Sequence, residues 1–393
     1  MKLILYIYHT SCIGGGSYCL LNILKTVDRT LYKPMVLLKE DGPLVNEIKN
    51  LGIPVYFLGK ISTVPYNCST FTPKKIVNAV RIVSSLRQYR KLLQYLKPDI
   101  VYVNTMMLYP YLIPAKKLGI STVIHIREHW PEDEHRIQRN IALKYIDQYA
   151  NRIVAINSYS ASMFDFSKKP KTIVYDWIDM DNRYEEFPLS NVFHEDMEGK
   201  KVYLFMGGMQ PIKGALEVVS GFSEFVESPD ARLLIMGGTA GVYGKSWRGG
   251  IKKILSRLGY ATYTEKIKKA INADRRIKSI PSMYKINHVI QQSYCILSYF
   301  TIPHANLALA ESIILGIPTI AARTEESLEY SLNGNLALLF TMNDYKDFGH
   351  HIVTYEEYRK DLVENIKVSS ERIARMFAPA ENSRILNDVY KSL

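Results

Sequence analysis

Leu3-Ile4-Leu5-Tyr6-Ile7-Tyr8-His9-Thr10-Ser11-Cys12-Ile13-Gly14-Gly15-Gly16-Ser17-Tyr18-Cys19-Leu20-Leu21-Asn22 decides the fold. Leu3–His9 is continuously apolar or aromatic rather than alternating, the pattern of a strand buried on both faces of a parallel sheet. Ser17–Val27 then carries apolar residues at helical spacing. Between the two lies Ile13-Gly14-Gly15-Gly16-Ser17. Glycines there let backbone N–H groups approach an anion at a helix N-terminus, and they equally suit a tight turn.

Working outward, further strand-like runs fall at Tyr32–Leu38, Ile53–Leu58, Asp99–Asn104, Thr122–Arg127, Arg152–Asn157 and Thr172–Asp176, with helix-like stretches such as Lys74–Leu96 between them. Residues 178–200 are polar, acidic and aromatic without a period, and read as a linker. A second series follows at Val202–Gly207, Arg232–Gly237, Ile277–Ile280, Tyr294–Phe300, Thr319–Ala322 and Leu336–Phe340. Two such series predict an α/β protein of two Rossmann-like, doubly wound domains, with ligands at the carboxyl ends of the strands and in the cleft between domains. The expected division is 1–182, 183–375 and a terminal segment 376–393. That segment contains a helix over 379–393 and crosses back to the first domain.

A chain of 393 residues suits two domains. Lys and Arg total 50 against 38 for Asp and Glu, so the net charge of +12 favours an anionic partner. Cys12, Cys19, Cys68 and Cys295 form no CxxC pair, which argues against a disulfide scaffold or a zinc module and for a reducing cytoplasm. The N-terminus lacks a signal-peptide pattern. No apolar run reaches the ~18 residues of a spanning helix. No RNA- or DNA-binding motif is present, so nucleic acid is not an expected partner.

Two more segments sit at expected strand ends. Gly207-Gly208-Met209-Gln210-Pro211-Ile212-Lys213-Gly214 precedes a helical pattern, and Lys213 there is either a diphosphate ligand or a solvated loop lysine. Pro303-His304-Ala305-Asn306-Leu307-Ala308-Leu309-Ala310-Glu311 opens another helix, with Asn306 as its predicted N-cap. The amides from Leu307 onward form a second anion seat. Glu311, on an otherwise apolar helix, needs a partner such as paired ribose hydroxyls, unless it is a surface glutamate.

Together these segments resemble glycosyltransferase family 4, the retaining GT-B-type sugar-nucleotide transferases. The similarity spans nearly the whole chain and adds Lys97-Pro98-Asp99-Ile100-Val101, Asn157-Ser158, Asn333-Gly334-Asn335 and Gly316-Ile317-Pro318-Thr319-Ile320-Ala321-Ala322. Gly208 stands where the family has arginine and Pro303 where it has the first glutamate of its E-x7-E segment. Pro303-His304 resembles a variant subgroup found among capsule and O-antigen transferases. The resemblance implies that Gly14, Gly15, Gly16, Gly207, Lys213, His304, Asn306, Leu307 and Glu311 bind substrate, with the first domain on the acceptor side and the second holding a nucleoside-diphosphate sugar, UDP or GDP as its nucleotide, and no cofactor. Lys213 would hold the diphosphate and Glu311 the ribose.

The family places a catalytic-site histidine after its fifth strand, where His125-Ile126-Arg127-Glu128-His129 stands and an ungapped match puts Arg127. Arg127 suits a phosphate, with His125 and Glu128 as further catalytic candidates; a structural Arg127–Glu128 pair is the alternative. Asp179-Met180-Asp181 is formally a DxD metal signature, but the family needs no metal. The implied activity is metal-independent transfer to a glycan or polyprenyl-linked acceptor in surface polysaccharide or glycolipid synthesis. A sugar-nucleotide epimerase of the same fold, or a non-catalytic binding or scaffold protein, is the alternative.

Residues 74–97 hold seven basic residues and no acid, interleaved with apolar ones. Residues 245–276 hold ten basic residues against Glu265 and Asp274. Both stretches are expected to dock peripherally on the inner membrane surface.

Overall fold

The computed structural model describes residues 1–59, 61–64, 73–133, 135–180, 183–237 and 262–393, with residues 73–79 described by their backbone alone. Cys68 and Asp181, and residues 245–261 of the second basic stretch, lie outside the described residues.

Two compact units emerge: Met1–Trp177 with Met376–Leu393, and Ile178–Arg375. The first is built on β1 (Lys2–Ile7), β2 (Tyr32–Leu38), β3 (Val55–Phe57), β4 (Ile100–Val103), β5 (Ser121–Ile126), β6 (Arg152–Ala155) and β7 (Lys171–Ile173). Their order is β3-β2-β1-β4-β5-β6-β7 and the pairings are parallel. The two-residue period of a strand sorts the side chains. Leu5, Ile7, Val101 and Val103 enter one core, whereas Ile4, Tyr6, Ile100 and Tyr102 enter the other. The first core lies under the helices Pro73–Leu96 and Arg136–Tyr149, through Tyr89, Leu93, Leu143 and Ile146. The terminal helix Pro379–Lys391 closes the second core with Leu386, Val389 and Tyr390, and the Tyr6 hydroxyl donates to that of Tyr390 at 3.1 Å.

The second unit holds β8 (Lys201–Phe205), β9 (Ala231–Met236), β10 (Ile277–Ile280), β11 (Cys295–Ser298), β12 (Thr319–Arg323) and β13 (Leu338–Thr341). Their order is β10-β9-β8-β11-β12-β13, again parallel. Tyr203, Phe205, Leu233 and Ile235 face one core, and Val202, Leu204, Leu234 and Met236 the other. Residues 183–200 are more ordered than a linker. Leu189, the N-cap of the short helix Ser190–Phe193, and Phe193, its last residue, are buried in the second core against Val202 and Leu204.

In each sheet the strand order reverses once, between β1 and β4 and between β8 and β11. Ligands of doubly wound sheets sit beyond the carboxyl ends at this switch point. The Gly14 loop follows β1, the Lys213 loop follows β8, and Asn306 follows β11.

Candidate functional site

In the second unit the turn after β8 is built around glycine. A Cβ on Gly207 would fall 2.2 Å from Phe205 Cζ and 2.9 Å from Lys213 Cβ. Gly208 has φ +64°, and Gly214 has φ +67° with the Tyr299 ring 2.3 Å from where its Cβ would be. Side chains are strained at such φ values. The position where the resembled family has arginine therefore holds a backbone conformation that an arginine would adopt only with strain. Gly214 starts the helix Ala215–Phe225 and turns Lys213 back toward β11.

The Lys213 Nζ lies 4.3 Å from the centroid of the Phe300 ring. Among the described residues no carboxylate pairs with it. Burial pushes its pKa down to about 7. His304 stands beside it, its ring 5.4 Å from that of Phe300. Burial, assisted by the Lys213 charge, pushes His304 down to about 3. It is thus neutral near pH 7 and offers a ring N–H and a lone pair rather than a charge.

Asn306 caps the helix Leu307–Ile314, as the sequence predicts. Its Oδ1 accepts from the Leu309 N–H at 3.3 Å and from Ser298 Oγ at 3.0 Å, and its Nδ2 donates to Ser327 Oγ at 3.3 Å. Asn306 is fully buried and committed to these bonds, and the amides that lead the helix are those of Leu307 and Ala308. Glu311, further along the helix, is also buried and has a protein partner: Arg183 Nη1 donates to its Oε1 at 2.5 Å. No local motif signals Arg183.

In the first unit Gly14 is the extended N-cap of the helix Gly15–Thr26. Open space surrounds the Cβ positions of Gly14 and Gly15, but a Cβ on Gly16 would reach 2.5 Å from the Tyr8 hydroxyl. Ser17 Oγ donates to the Cys12 carbonyl at 2.6 Å and closes the loop. The result is an exposed backbone turn at a helix N-terminus, beside the switch point of the first sheet.

The catalytic candidates after β5 divide. Arg127 pairs with Asp176, not Glu128. Its Nε donates to Asn104 Oδ1 at 3.1 Å, and Nη2 lies 3.3 Å from His125 Nδ1. His125 is itself interior, 2.5 Å from the Tyr102 hydroxyl, and burial holds its pKa well below the usual imidazole range. Arg127 and His125 thus form a buried polar network with Asp176, Asn104 and Tyr102. Glu128 accepts from Thr105 Oγ1 and from the Met106 N–H at 3.1 Å, and burial raises its pKa. His129, not a first-choice candidate from sequence, stacks on Tyr159 at 3.6 Å and donates from Nδ1 to the Tyr159 carbonyl, which leaves Nε2 as the acceptor.

The helix Pro73–Leu96 buries Ser85, Tyr89 and Leu93 and exposes Arg87, Arg90, Lys91 and Tyr95. Over the same core, the helix Arg136–Tyr149 exposes Ile137, Ile141 and Tyr145, four residues apart on one stripe, next to Arg136 and Lys144. In the other basic stretch Lys266, Lys268 and Lys269 are exposed, but Arg276 is held by Asp274 at 2.7 Å. Among the described residues no group of three or more His, Cys, Asp or Glu side chains could hold a metal ion, and no helix is long and apolar enough to cross a membrane.

No family model matches the chain. A UDP-N-acetylglucosamine–N-acetylmuramyl-(pentapeptide) pyrophosphoryl-undecaprenol N-acetylglucosamine transferase of Alkaliphilus oremlandii is 27% identical over 164 residues, 41% of this chain and 41% of that protein. Anabaena Alr3699/HepE in complex with UDP-glucose superimposes over 100% of both chains, with TM-score 0.73 and 16% identity. A Rickettsia africae glycosyltransferase superimposes over 100% of this chain and 98% of its own, with TM-score 0.71 and 15% identity. The fold is GT-B. Staphylococcus aureus MnaA, solved with UDP, shares it over 98% of this chain and 92% of its own, at TM-score 0.59 and 14% identity.

Proposed function

We propose that this chain is a retaining glycosyltransferase, of the family 4 type and its Pro-His variant, that takes a sugar from a UDP-sugar. One observation carries the reading. An ammonium with no carboxylate partner among the described residues, Lys213, stands at the switch point of the second sheet, on the same lobe as the Asn306-capped helix and Glu311. A diphosphate supplies the missing counter-charge and a ribose supplies hydroxyls for Glu311. The UDP and UDP-glucose complexes of the structural neighbours favour UDP over GDP.

In the proposed reaction an acceptor oxygen attacks the anomeric carbon. The bond from that carbon to the β-phosphate oxygen breaks, and the departing phosphate takes the acceptor's proton. Lys213 and the leading amides of the Leu307–Ile314 helix stabilise the growing phosphate charge without a metal. His304 supplies a neutral hydrogen bond in place of one lost with Pro303. In the first unit the Gly14–Gly16 turn and Glu128 are assigned to the acceptor side. Arg127 and His125 hold that strand end in shape rather than touch substrate.

A polyprenyl-linked acceptor fits both the activity of the Alkaliphilus relative and one face of the first unit. That face combines Arg87, Arg90 and Lys91 with the Ile137–Ile141–Tyr145 stripe, the composition of a surface that rests on an anionic bilayer. The test is release of UDP from UDP-glucose with a polyprenyl-linked glycan, and the anomeric configuration of the product. Binding without turnover would favour a non-catalytic role, and sugar interconversion without net UDP release an epimerase.

A further inference from the structure

Glu311 carries its own cation. We propose that Arg183 is a positioning residue of the nucleotide site, fixing the Glu311 carboxylate so that one oxygen is spent and the other is presented to the ribose. The inference rests on the reading of Glu311 given above.

The ion pair is asymmetric. Arg183 Nη1 holds Oε1 at 2.5 Å, and among the described residues no hydrogen bond reaches Oε2. The two side chains are 13% and 11% exposed, so water does little to screen or replace the contact. The guanidinium is itself aimed: Nε donates to the Tyr284 carbonyl at 3.3 Å, and the group lies 5.8 Å from the Tyr284 ring.

The backbone that delivers Arg183 is tied down on both sides. Asn287 Nδ2 donates to the Met180 carbonyl at 2.8 Å, and the Phe187 N–H donates to His288 Nδ1 at 2.8 Å. Arg183 therefore comes to Glu311 from a segment braced on the helix Asn287–Gln291, not from the glycine turn at Gly208. A buried carboxylate with one oxygen held is pre-aimed, and a ligand then binds without first ordering it. Lysine could replace the charge but not the two-directional fork, because its ammonium cannot reach Oε1 and the Tyr284 carbonyl in the same fixed plane.

The experiment compares UDP with 2′,3′-dideoxy-UDP by calorimetry on the full chain. A hydrogen bond to a charged group predicts that wild type prefers UDP by about tenfold or more. Arg183→Ala and Glu311→Ala are each expected to reduce that preference to near parity, with Arg183→Lys recovering part of it. Arg183→Gln serves if the alanine variant does not fold. The preference ratio, unlike thermal stability, does not respond to a merely structural loss. If Glu311→Ala abolishes the preference while Arg183→Ala and Arg183→Gln keep it, the positioning role is overturned and the nucleotide site stands. If wild type shows no preference, or Glu311→Ala retains it, the ribose assignment falls and the positioning role with it.

Discussion

Raising the pH should weaken donor binding through one amine. Burial holds the Lys213 ammonium at about 7 in the free protein, whereas an ordinary lysine stays charged to 10.5. A diphosphate beside it favours the charged form, so the pKa rises on binding and a proton is taken up. The sign follows from linkage: affinity is full below pH 7 and falls as pH climbs between the free and bound values. If only the ammonium form binds, two pH units above 7 reduce affinity about 100-fold, roughly 2.7 kcal/mol at 1.36 kcal/mol per unit. The assay is calorimetry with UDP-glucose from pH 6.5 to 9, because its diphosphate has no proton to lose in that range. Heats in two buffers of different ionisation enthalpy report the proton uptake directly. Lys213→Gln should bind weakly with no slope. A wild-type affinity that stays flat to pH 9, with no proton taken up, would refute the reasoning.

Other variants probe separate parts of the account. Lys213→Met removes an unpaired, desolvated charge, so the free protein should gain about 1 kcal/mol or more in stability at pH 7 while losing nucleotide affinity, read by thermal unfolding with and without UDP. Gly208→Arg should cost about 1–2 kcal/mol through its positive φ and restore no affinity, read by urea unfolding and calorimetry. Asp176→Ala strands the buried Arg127 guanidinium and should destabilise the first unit by about 3–5 kcal/mol, yet leave UDP affinity within about twofold when the protein is folded. Replacing Arg87, Arg90 and Lys91 by Gln should weaken sedimentation with phosphatidylglycerol vesicles by up to about 3 kcal/mol, and Ile137→Ser with Ile141→Ser should weaken it further; equal binding by all forms would remove the membrane face.

The sequence made strands legible because most of them are buried on both faces and so read as unbroken apolar runs, such as Leu3–Ile7 and Val202–Phe205. Caps were legible too, since Asn306 bonds an amide three residues away. The ion partners were not. Asp176 lies 49 residues from Arg127, and Arg183 lies 128 from Glu311, distances that only the folded chain closes. The alternative Arg127–Glu128 pair does not form for a local reason: adjacent residues leaving a strand point to opposite sides, and Glu128 turns to Thr105 and Met106. The order in residues 183–200 was hidden because two apolar anchors, Leu189 and Phe193, are too few to show a period.

Isothermal titration of UDP-glucose into wild type, Lys213→Ala and Glu311→Ala tests most directly whether this lobe is a donor seat. Saturable one-to-one binding by wild type, weakened in each variant by roughly 1–3 kcal/mol, is the predicted result. Equal affinity in all three proteins would contradict it.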